Sequence, residues 1–415
     1  MTMLAPLRHS AFRFLLAGRT VNALGNAIAP VALAFAVLDL TGSATDLGLV
    51  VGTRMLANVL FLLFGGALAD RLPKNLLMVG AGIAAAVTQG AVAILIITGT
   101  ATVPLLIALS AVNGMVAALA LPASSSILPQ LVPAAERQQA NGLGRLFFNG
   151  ATIVGAPAGG IIVASSSPGW GIAIDAGAFA LSAASFALVR LPTVAPAAAP
   201  RPGIIAELRD GWSAFRSRTW LWVVVAAFGV VNACLSASVN VLGPLVADTT
   251  IGRRAWGFVL AAETVGMLLG AIVAMRVRVR RLLLLGVFCT AFVALPVFTL
   301  GLLPRLGPLL VAMFVAGLTI EQFGIAWETT MQEHVPAEKL ARVYSYDMVG
   351  SYVAIPLGQA VSGPVADAVG LTPTLVGAAV LIVVAALAML SSRDVRTLSH
   401  TDHRAPAPPM EQSTL

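Results

Sequence analysis

The chain has 415 residues, of which 58% are hydrophobic and only 10% are charged, with a net charge of +7. Soluble proteins carry about 25% charged residues, so this chain cannot cover a water-facing surface, and the composition excludes a soluble enzyme. The basic residues are scattered between apolar runs, which indicates charges that orient a membrane protein rather than a nucleic-acid interface. The two cysteines and four histidines are too dispersed to predict a metal site, and no cofactor is expected.

Twelve apolar runs follow one another along the chain, each near the roughly 20 residues that a helix needs to cross a bilayer. They predict an all-α integral membrane protein with twelve transmembrane helices. A short basic stretch leads straight into the first run, so no cleavable leader is expected. The first six runs cover 13–38, 46–69, 76–98, 103–127, 142–164 and 169–190, and the second six cover 218–246, 255–275, 282–303, 307–331, 345–366 and 371–391.

The distribution of Lys and Arg predicts the orientation of the chain. If the N-terminus is cytoplasmic, nineteen of the 25 basic residues lie in inner segments and three lie in outer loops. Both termini are therefore expected in the cytoplasm. Arg supplies all but two of the basic residues, which hints at a GC-rich bacterial genome and so at the inner membrane of a bacterium.

A hydrophilic break divides the twelve runs into two sets of six. Residues 191–217 begin with an Ala/Pro-rich linker and continue with apolar and charged residues at helical spacing, which predicts an amphipathic helix on the membrane surface. The expected organisation is an N-terminal half at 1–190, this linker, a C-terminal half at 218–392 and a disordered tail at 393–415.

The two sets of runs also resemble each other in sequence. Short elements recur in the same order at offsets of 199 to 209 residues. Two parallel six-helix halves, related by an axis along the membrane normal, are typical of transporters with a binding site between the halves. The matching elements include Asp39 with Asp248, Gly48 with Gly257, Pro133 with Pro336, and Pro157 with Pro356.

The loop between the second and third runs resembles the characteristic loop of the major facilitator superfamily. Gly66, Asp70, Arg71 and Lys74 occupy positions of its motif. The resemblance implies the major facilitator fold, with twelve helices in two pseudo-symmetric halves, and a cytoplasmic gate. At that gate Asp70 would contact the N-terminus of the eleventh helix, expected near residues 345–350, because the helix dipole favours a negative charge there. Arg71 and Lys74 either join the gate or only hold the loop inside.

The fifth run carries a second motif of this superfamily. Gly155, Pro157 and Gly160 are similar to the Gly/Pro motif of its antiporters, where the motif accompanies export. Missing side chains and a proline permit close packing and a bend, and packing without a directional role is the alternative. Short matches around Trp327 and Tyr344 resemble the branch of drug:proton antiporters that contains macrolide and siderophore exporters.

Acidic residues inside apolar runs are functional candidates because burying a charge in a membrane is costly. Glu321 falls near mid-depth of the tenth run, and Glu328 lies two turns further on the same stripe. Glu321 is therefore a candidate to exchange a proton and to be displaced by a cationic or polar substrate. A hydrogen bond to a neighbouring helix is the alternative role.

Arg54 in the second run and Glu263 in the eighth stand at the same offset of 209, hence at equivalent depths in the two halves. These runs flank the expected seam between the halves, so an Arg–Glu pair across the seam is one hypothesis for a conformational latch. The other is that each residue has local partners, such as Asn58 for Arg54.

Polar stripes predict the lining of a wet cavity. Arg19, Asn22 and Asn26 lie on one face of the first helix, and the resemblance places helices 1, 4, 7 and 10 around the cavity. Interhelical hydrogen bonds are the alternative role for each of these residues. Asp175 in the sixth run has either a structural or a proton-related role. Further stripe members are Asn113 in the fourth run and Asn232, Ser236 and Asn240 in the seventh.

The sequence therefore predicts a monomeric secondary transporter in the lipid bilayer whose partners are a small-molecule substrate and protons. The only lysines, Lys74 and Lys339, do not lie in a phosphate-binding loop, so a gradient rather than ATP is the expected driving force. The favoured function is proton-coupled efflux of amphipathic small molecules, such as a drug, a secreted metabolite or a siderophore. The alternatives are a proton-coupled nutrient importer and a membrane receptor or scaffold without transport.

Overall fold

The structure, a computed structural model, describes residues 4–69, 74–125, 127–133, 136–189, 212–276 and 279–399. Long helices dominate this part of the chain, and no strand occurs in it. We number the twelve long helices α1 (Ser10–Thr41), α2 (Ala44–Ala69), α3 (Lys74–Ile97), α4 (Val103–Ser125), α5 (Arg137–Ser165), α6 (Pro168–Ala187), α7 (Thr219–Thr249), α8 (Arg253–Ala274), α9 (Leu282–Leu302), α10 (Leu306–His334), α11 (Ala337–Tyr352 and Ile355–Val369) and α12 (Leu371–Ser391).

The helices coincide with the twelve apolar runs and confirm the all-α membrane fold. Ten of them, within the described residues, are long and apolar enough to cross a membrane, and α4 supplies a shorter apolar segment. The clearest difference is α11, which begins at Ala337, eight residues before the predicted run. A turn at Val353 and Ala354 also breaks it just before Pro356. Proline lacks an amide proton and clashes with the preceding turn, so the helix restarts there.

The two halves repeat the same pattern of helix contacts. In the N-terminal half, α2 packs on α4, α3 packs on α6, and α1 packs on α5 and α6. The equivalent pairs in the C-terminal half are α8 on α10, α9 on α12, and α7 on α11 and α12. The repeat detected in the sequence is therefore a repeat of structure, as the prediction of two pseudo-symmetric halves requires.

A glycine in the fourth helix of each half shows how close this equivalence is. A Cβ atom at Gly114 of α4 would lie 2.1 Å from the carbonyl oxygen of Arg54 on α2. A Cβ atom at Gly317 of α10 would lie 2.0 Å from the carbonyl oxygen of Glu263 on α8. Only glycine permits so close an approach of two backbones, so Arg54 and Glu263 occupy equivalent positions.

The halves meet along two seams at one end of the molecule, the end where α1 ends and α2 begins, which we call the closed end. In the first seam, a Cβ atom at Gly48 of α2 would lie 2.3 Å from the carbonyl oxygen of Gln359 on α11. In the second, a Cβ atom at Gly257 of α8 would lie 2.4 Å from the carbonyl oxygen of Ala156 on α5. A core that includes Phe35 and Trp256 joins both halves at this end.

The linker and the tail are described only in part. The predicted amphipathic helix lies mostly outside the described residues, but residues 212–216 are helical and pack on α11. Trp212 stacks on Phe215 with 5.6 Å between ring centroids, and both rings contact Tyr346. The first residues of the tail form a helical turn, Arg393–Thr397, in which Val395 is fully buried. Residues 400–415 lie outside the described residues.

Candidate transport site

A polar cavity of about 370 Å³ lies between the two halves, on the inner side of the closed end. Seven helices contribute to it: α1 to α4 from one half and α7, α8 and α11 from the other. Its wall therefore changes whenever the halves move against each other. The polar side chains in its wall are Asn26, Arg54, Asn58, Gln89, Ser110, Asn113, Ser236, Asn240 and Gln359.

Arg54 is held within the N-terminal half. Its Nε donates to Asn113 Oδ1 at 3.0 Å, and Asn113 Nδ2 donates to Thr88 Oγ1 at 3.3 Å. The local partner is therefore Asn113 rather than Asn58, whose amide donates to the carbonyl oxygen of Gly114 at 3.2 Å. No ion pair joins Arg54 to Glu263 within 4.0 Å in the described residues, so this conformation does not contain the proposed latch between them.

Asp175 of α6 lies beside this network and is only 1% exposed. Gln89 Nε2 donates to Asp175 Oδ2 at 2.6 Å. Asp175 also lies within electrostatic range of Arg54, while its second oxygen, Oδ1, accepts no hydrogen bond from any described residue. One oxygen of the Asp175 carboxylate accepts a hydrogen bond and the other accepts none from the described residues. The carboxylate can therefore balance the positive charge of Arg54 and accept a hydrogen bond from a further donor.

The opposite wall of this cavity comes from α7 and α11. Ser236 Oγ accepts hydrogen bonds from Asn240 Nδ2 at 3.0 Å and from Gln359 Nε2 at 2.7 Å. The residues 238–242 form a π-helical turn within α7, and such turns occur frequently at functional sites. Asn232 lies apart from the cavity wall, with its amide donating to the carbonyl oxygen of Ser351 at 3.0 Å.

A larger cavity of about 690 Å³ lies further from the closed end, within the N-terminal half. It is built from α1, α3, α4, α5 and α6 and has a mixed lining. Arg19, Asn22 and Asn26 reach it from α1, and Asn26 and Asn113 line both cavities. The volume suits a drug-sized molecule, since such pockets usually measure 300–1,000 Å³. Its other polar and aromatic side chains include Asn141, Arg145, Phe148, Thr152, Phe179 and Phe186.

The acids of the C-terminal half lie away from the walls of these two cavities. Glu321 is half-buried in α10, and both Arg145 of α5 and Glu328 lie within electrostatic range of it. Glu328 is exposed and accepts a hydrogen bond from Gln332 at 3.4 Å. Glu263 forms no hydrogen bond within the described part of the chain. The carboxylate of Glu321 in the C-terminal half therefore interacts electrostatically with the guanidinium of Arg145 in the N-terminal half.

An ionic cluster at the closed end joins the halves directly. Arg253, the first residue of α8, donates to both carboxylate oxygens of Asp39 on α1, with 2.8 Å between its Nη1 and Asp39 Oδ2. Its Nε also donates to Asp248 Oδ1 at 2.7 Å, and its guanidinium lies 4.9 Å from the ring centre of Phe35. Asp39 and Asp248 occupy equivalent positions of the two halves in the repeat. The guanidinium of Arg253 therefore binds the same carboxylate position of both halves.

The Gly/Pro motif of α5 packs on two neighbours. A Cβ atom at Gly155 would lie 2.6 Å from the Cβ atom of Ala27 on α1. On the other face, a Cβ atom at Gly160 would lie 2.8 Å from the carbonyl oxygen of Arg253. Pro157 lies inside α5 between these contacts. The motif therefore contacts both its own half and the opposite half.

The loop motif is largely outside the described residues. Gly66 lies in α2 and Lys74 begins α3, whereas Asp70 and Arg71 fall in the gap between these helices. The expected contact of Asp70 with the start of α11 remains a proposal.

Sequence reasoning missed several residues of the two cavities. Gln89 and Gln359 are amides within apolar runs, and this rarity alone marks them as candidates. Arg145 lies on α5, which is not among the helices that the resemblance places around the cavity. Asn141, Arg145, Phe148 and Thr152 recur at spacings of three and four, so the helical stripe was visible in the sequence.

A family model described as the Major Facilitator Superfamily matches residues 15–359. The chain belongs to this superfamily. The match covers nearly all of the N-terminal half and most of the C-terminal half, and it confirms the resemblance drawn from the two motifs. Members of this family are transporters and not enzymes, so the chain is a multi-pass membrane transporter of small molecules.

Curated relatives place the chain beside efflux proteins. It is 29% identical over 364 residues to the multidrug efflux pump Tap of Mycolicibacterium fortuitum, covering 84% of this chain and 88% of that one. It is 23% identical over 395 residues to macrolide efflux protein A of Streptococcus pyogenes, covering 92% and 96%. These relatives agree with the predicted exporter branch.

Solved structures confirm the fold. A bacterial homologue of the human lysosomal transporter Spinster, in an inward-facing and unoccupied conformation, has a TM-score of 0.73 at 15% sequence identity. The match covers 94% of this chain and 98% of that one. At this identity the likeness concerns the fold alone.

Proposed function

We propose that this transporter exports amphipathic small molecules by proton-coupled alternating access. The observation that carries the proposal is the cavity of about 690 Å³, whose lining combines amides and guanidinium groups with phenylalanine rings. Such a lining suits a molecule with an apolar body and a few polar groups. The named efflux relatives support the outward direction.

The arrangement of the halves supports alternating access. The halves touch along both seams at the closed end, and Arg253 ties them together there. The large cavity lies on the other side of the molecular centre. With both termini in the cytoplasm of a bacterium, as the distribution of basic residues predicts, the closed end faces outward and the structure is the inward-facing state.

Proton coupling is assigned to the intramembrane acids. Glu321 is the first candidate because it lies within electrostatic range of Arg145 in the opposite half. A protonation change at such an acid alters the attraction between the halves, and so the balance between their two arrangements. Asp175 is the second candidate, through its position beside Arg54.

Drug accumulation in an efflux-deficient bacterial host tests this proposal. Cells that express the chain should accumulate less of at least one amphipathic compound in a chemically varied panel than cells with an empty vector. Collapse of the pH gradient should remove the difference, and Glu321→Gln should reduce export more than Glu328→Gln on the same helix. Greater accumulation would indicate an importer, and equal accumulation of every compound in a chemically varied panel would indicate a receptor or scaffold.

Asp70→Asn in the same host tests the role of the loop motif. The substitution should weaken export without reducing the amount of protein in the membrane. Arg13→Gln, outside both cavities, is the matched charge-removing control. Export by Asp70→Asn at the wild-type level would remove the gate proposal.

A further inference from the structure

The described lining of the larger cavity contains cationic side chains. Two guanidinium groups, those of Arg19 and Arg145, line it, and no Asp or Glu is present among the described residues of its wall. Four asparagine side chains add amide donors. A positively charged wall in a low-dielectric surrounding attracts anions.

Arg145 is the accessible member of this pair. Its side chain is exposed in the cavity, and no described carboxylate lies within 4.0 Å of it. Asn141 and Phe148 lie on the same stripe of α5, one turn to either side. A guanidinium between an amide and an aromatic ring suits an anionic group attached to an apolar body, because guanidinium donors match a carboxylate and the ring packs on hydrocarbon.

The rest of the cavity accommodates such a body. Phe179 and Phe186 of α6 and Met78 of α3 supply apolar surface opposite α5. The positive charge and the aromatic surface thus belong to one pocket and are available to one ligand.

The guanidinium of Arg145 also interacts electrostatically with Glu321. Glu321 belongs to the opposite half and lies within electrostatic range of Arg145. A ligand anion at Arg145 competes with the Glu321 carboxylate for the same guanidinium. Binding of the ligand therefore changes an attraction between the halves, and with it the balance between their two arrangements.

We propose that the substrates of this transporter are amphipathic organic anions, whose carboxylate-type group binds Arg145 while an apolar body occupies the aromatic part of the cavity. This inference rests on the proposed transport function and narrows its substrate class.

Fluorescence titration of the purified full-length protein in detergent tests the proposal with three probes that share one apolar body. The probes are dansyl-phenylalanine, its uncharged primary amide, and its cationic 2-aminoethyl amide. The carboxylate should bind at least about tenfold more tightly than the amide, as a charge-assisted hydrogen bond implies. The cation should bind most weakly.

Substitutions at Arg145 then locate the preference. Arg145→Gln should bring the carboxylate and the amide to nearly equal affinity, whereas Arg145→Lys should retain part of the preference. Arg13→Gln, which removes an exposed arginine of α1 outside the cavity, is the matched control and should leave the preference unchanged. An unchanged preference in Arg145→Gln, or tighter binding of the cation by the wild-type protein, would overturn the proposal.

The outcomes separate this proposal from the transport function. Export in cells together with no carboxylate preference overturns the anion proposal alone. An Arg145-dependent preference in a protein that changes no compound's accumulation supports the anion site and overturns the exporter.

Discussion

The interiors of the two halves share one backbone arrangement and differ in chemistry. Arg54 and Glu263 occupy equivalent positions, each against a glycine of the fourth helix of its half. Arg54 belongs to a polar network that includes Asn113 and lies beside the buried Asp175. Glu263 has no hydrogen-bond partner among the described residues. Symmetry of packing therefore does not extend to the polar side chains.

The two seams at the closed end show the same contrast. Beside the α5–α8 seam, Arg253 pairs with Asp39 of α1 and with Asp248 of α7, a cluster that we call the Arg253 fork. Among the described residues, the α2–α11 seam carries a single side-chain hydrogen bond, from Thr45 Oγ1 to Asp367 Oδ2 at 2.9 Å. The repeat offset of 209 places Ala44 at the position equivalent to Arg253. The difference at this repeat position thus accompanies an ionic contact at one seam and a neutral-donor hydrogen bond at the other.

The largest expected effect on stability is a difference between substitutions in the interiors of the N-terminal and C-terminal halves. Asp175→Ala should lower the free energy of unfolding by about 3 kcal/mol, because it leaves Gln89 without its acceptor and Arg54 without a nearby carboxylate. Glu263→Ala should cost less than about 1 kcal/mol, since no described side chain pairs with it. Chemical unfolding in detergent measures both. Equal decreases in the free energy of unfolding would mean that the contacts of Asp175 stabilise the protein no more than those of Glu263.

Glycine substitutions test the shared backbone. Gly114→Ala and Gly317→Ala should each destabilise the protein by about 2 kcal/mol, because the added methyl group meets a carbonyl oxygen of the neighbouring helix. Thermal unfolding followed by tryptophan fluorescence should show similar decreases in Tm. Gly90→Ala and Gly324→Ala, whose added methyl groups meet open space, are the controls in the two halves. A loss in only one half would contradict the equivalence.

Loss of the Arg253 fork should open the closed end. Arg253→Gln should remove about 1 kcal/mol of attraction from a partly exposed cluster, which lowers the closed-to-open ratio about fivefold. Distances between spin labels at Thr100→Cys and Arg305→Cys, in a background without Cys234 and Cys289, report the change. Arg254→Gln is the neighbouring control. High salt should weaken the wild-type contact, and insensitivity to both changes would exclude an ionic latch.

The smallest expected effect on closure of the halves comes from a substitution in the α2–α11 seam. Thr45→Val removes one hydrogen bond and should weaken closure by about 0.5 kcal/mol, roughly half the effect of Arg253→Gln on the same label distances. Thr249→Val, whose hydroxyl bonds only its own helix, should leave the distances unchanged. A larger shift for Thr45→Val than for Arg253→Gln would reverse the ranking of the seams.

Much of the fold was predictable because hydrophobicity along the chain reports membrane helices directly. A helix must satisfy its backbone internally in lipid, so every apolar run of sufficient length became a helix. The start of α11 was not predictable in this way, because residues 337–344 are polar and extend the helix beyond the apolar run. The repeat was also visible, since Gly48 and Gly257 recur at a fixed offset and occupy equivalent seams.

The candidate site was predictable only residue by residue. Arg19, Asn22, Asn26 and Asn113 are predicted from polar stripes on helices that the resemblance places around the cavity, and they line a cavity in the structure. Their partners were not identified, because a helix position does not specify which neighbour a side chain meets. Arg54 bonds to Asn113 on α4 rather than to Asn58 on its own helix.

The sequence by itself determined the membrane location, the twelve helices and the two halves, because these follow from composition, run length and periodicity. Only the tertiary structure decided which polar residues meet: that Arg253 joins Asp39, that Gln89 holds Asp175, and that Arg145 lines a cavity across from Glu321. The physical reason is that hydrophobic burial depends on the amount of apolar surface, whereas hydrogen bonds and ion pairs depend on distance and direction between residues far apart in the chain.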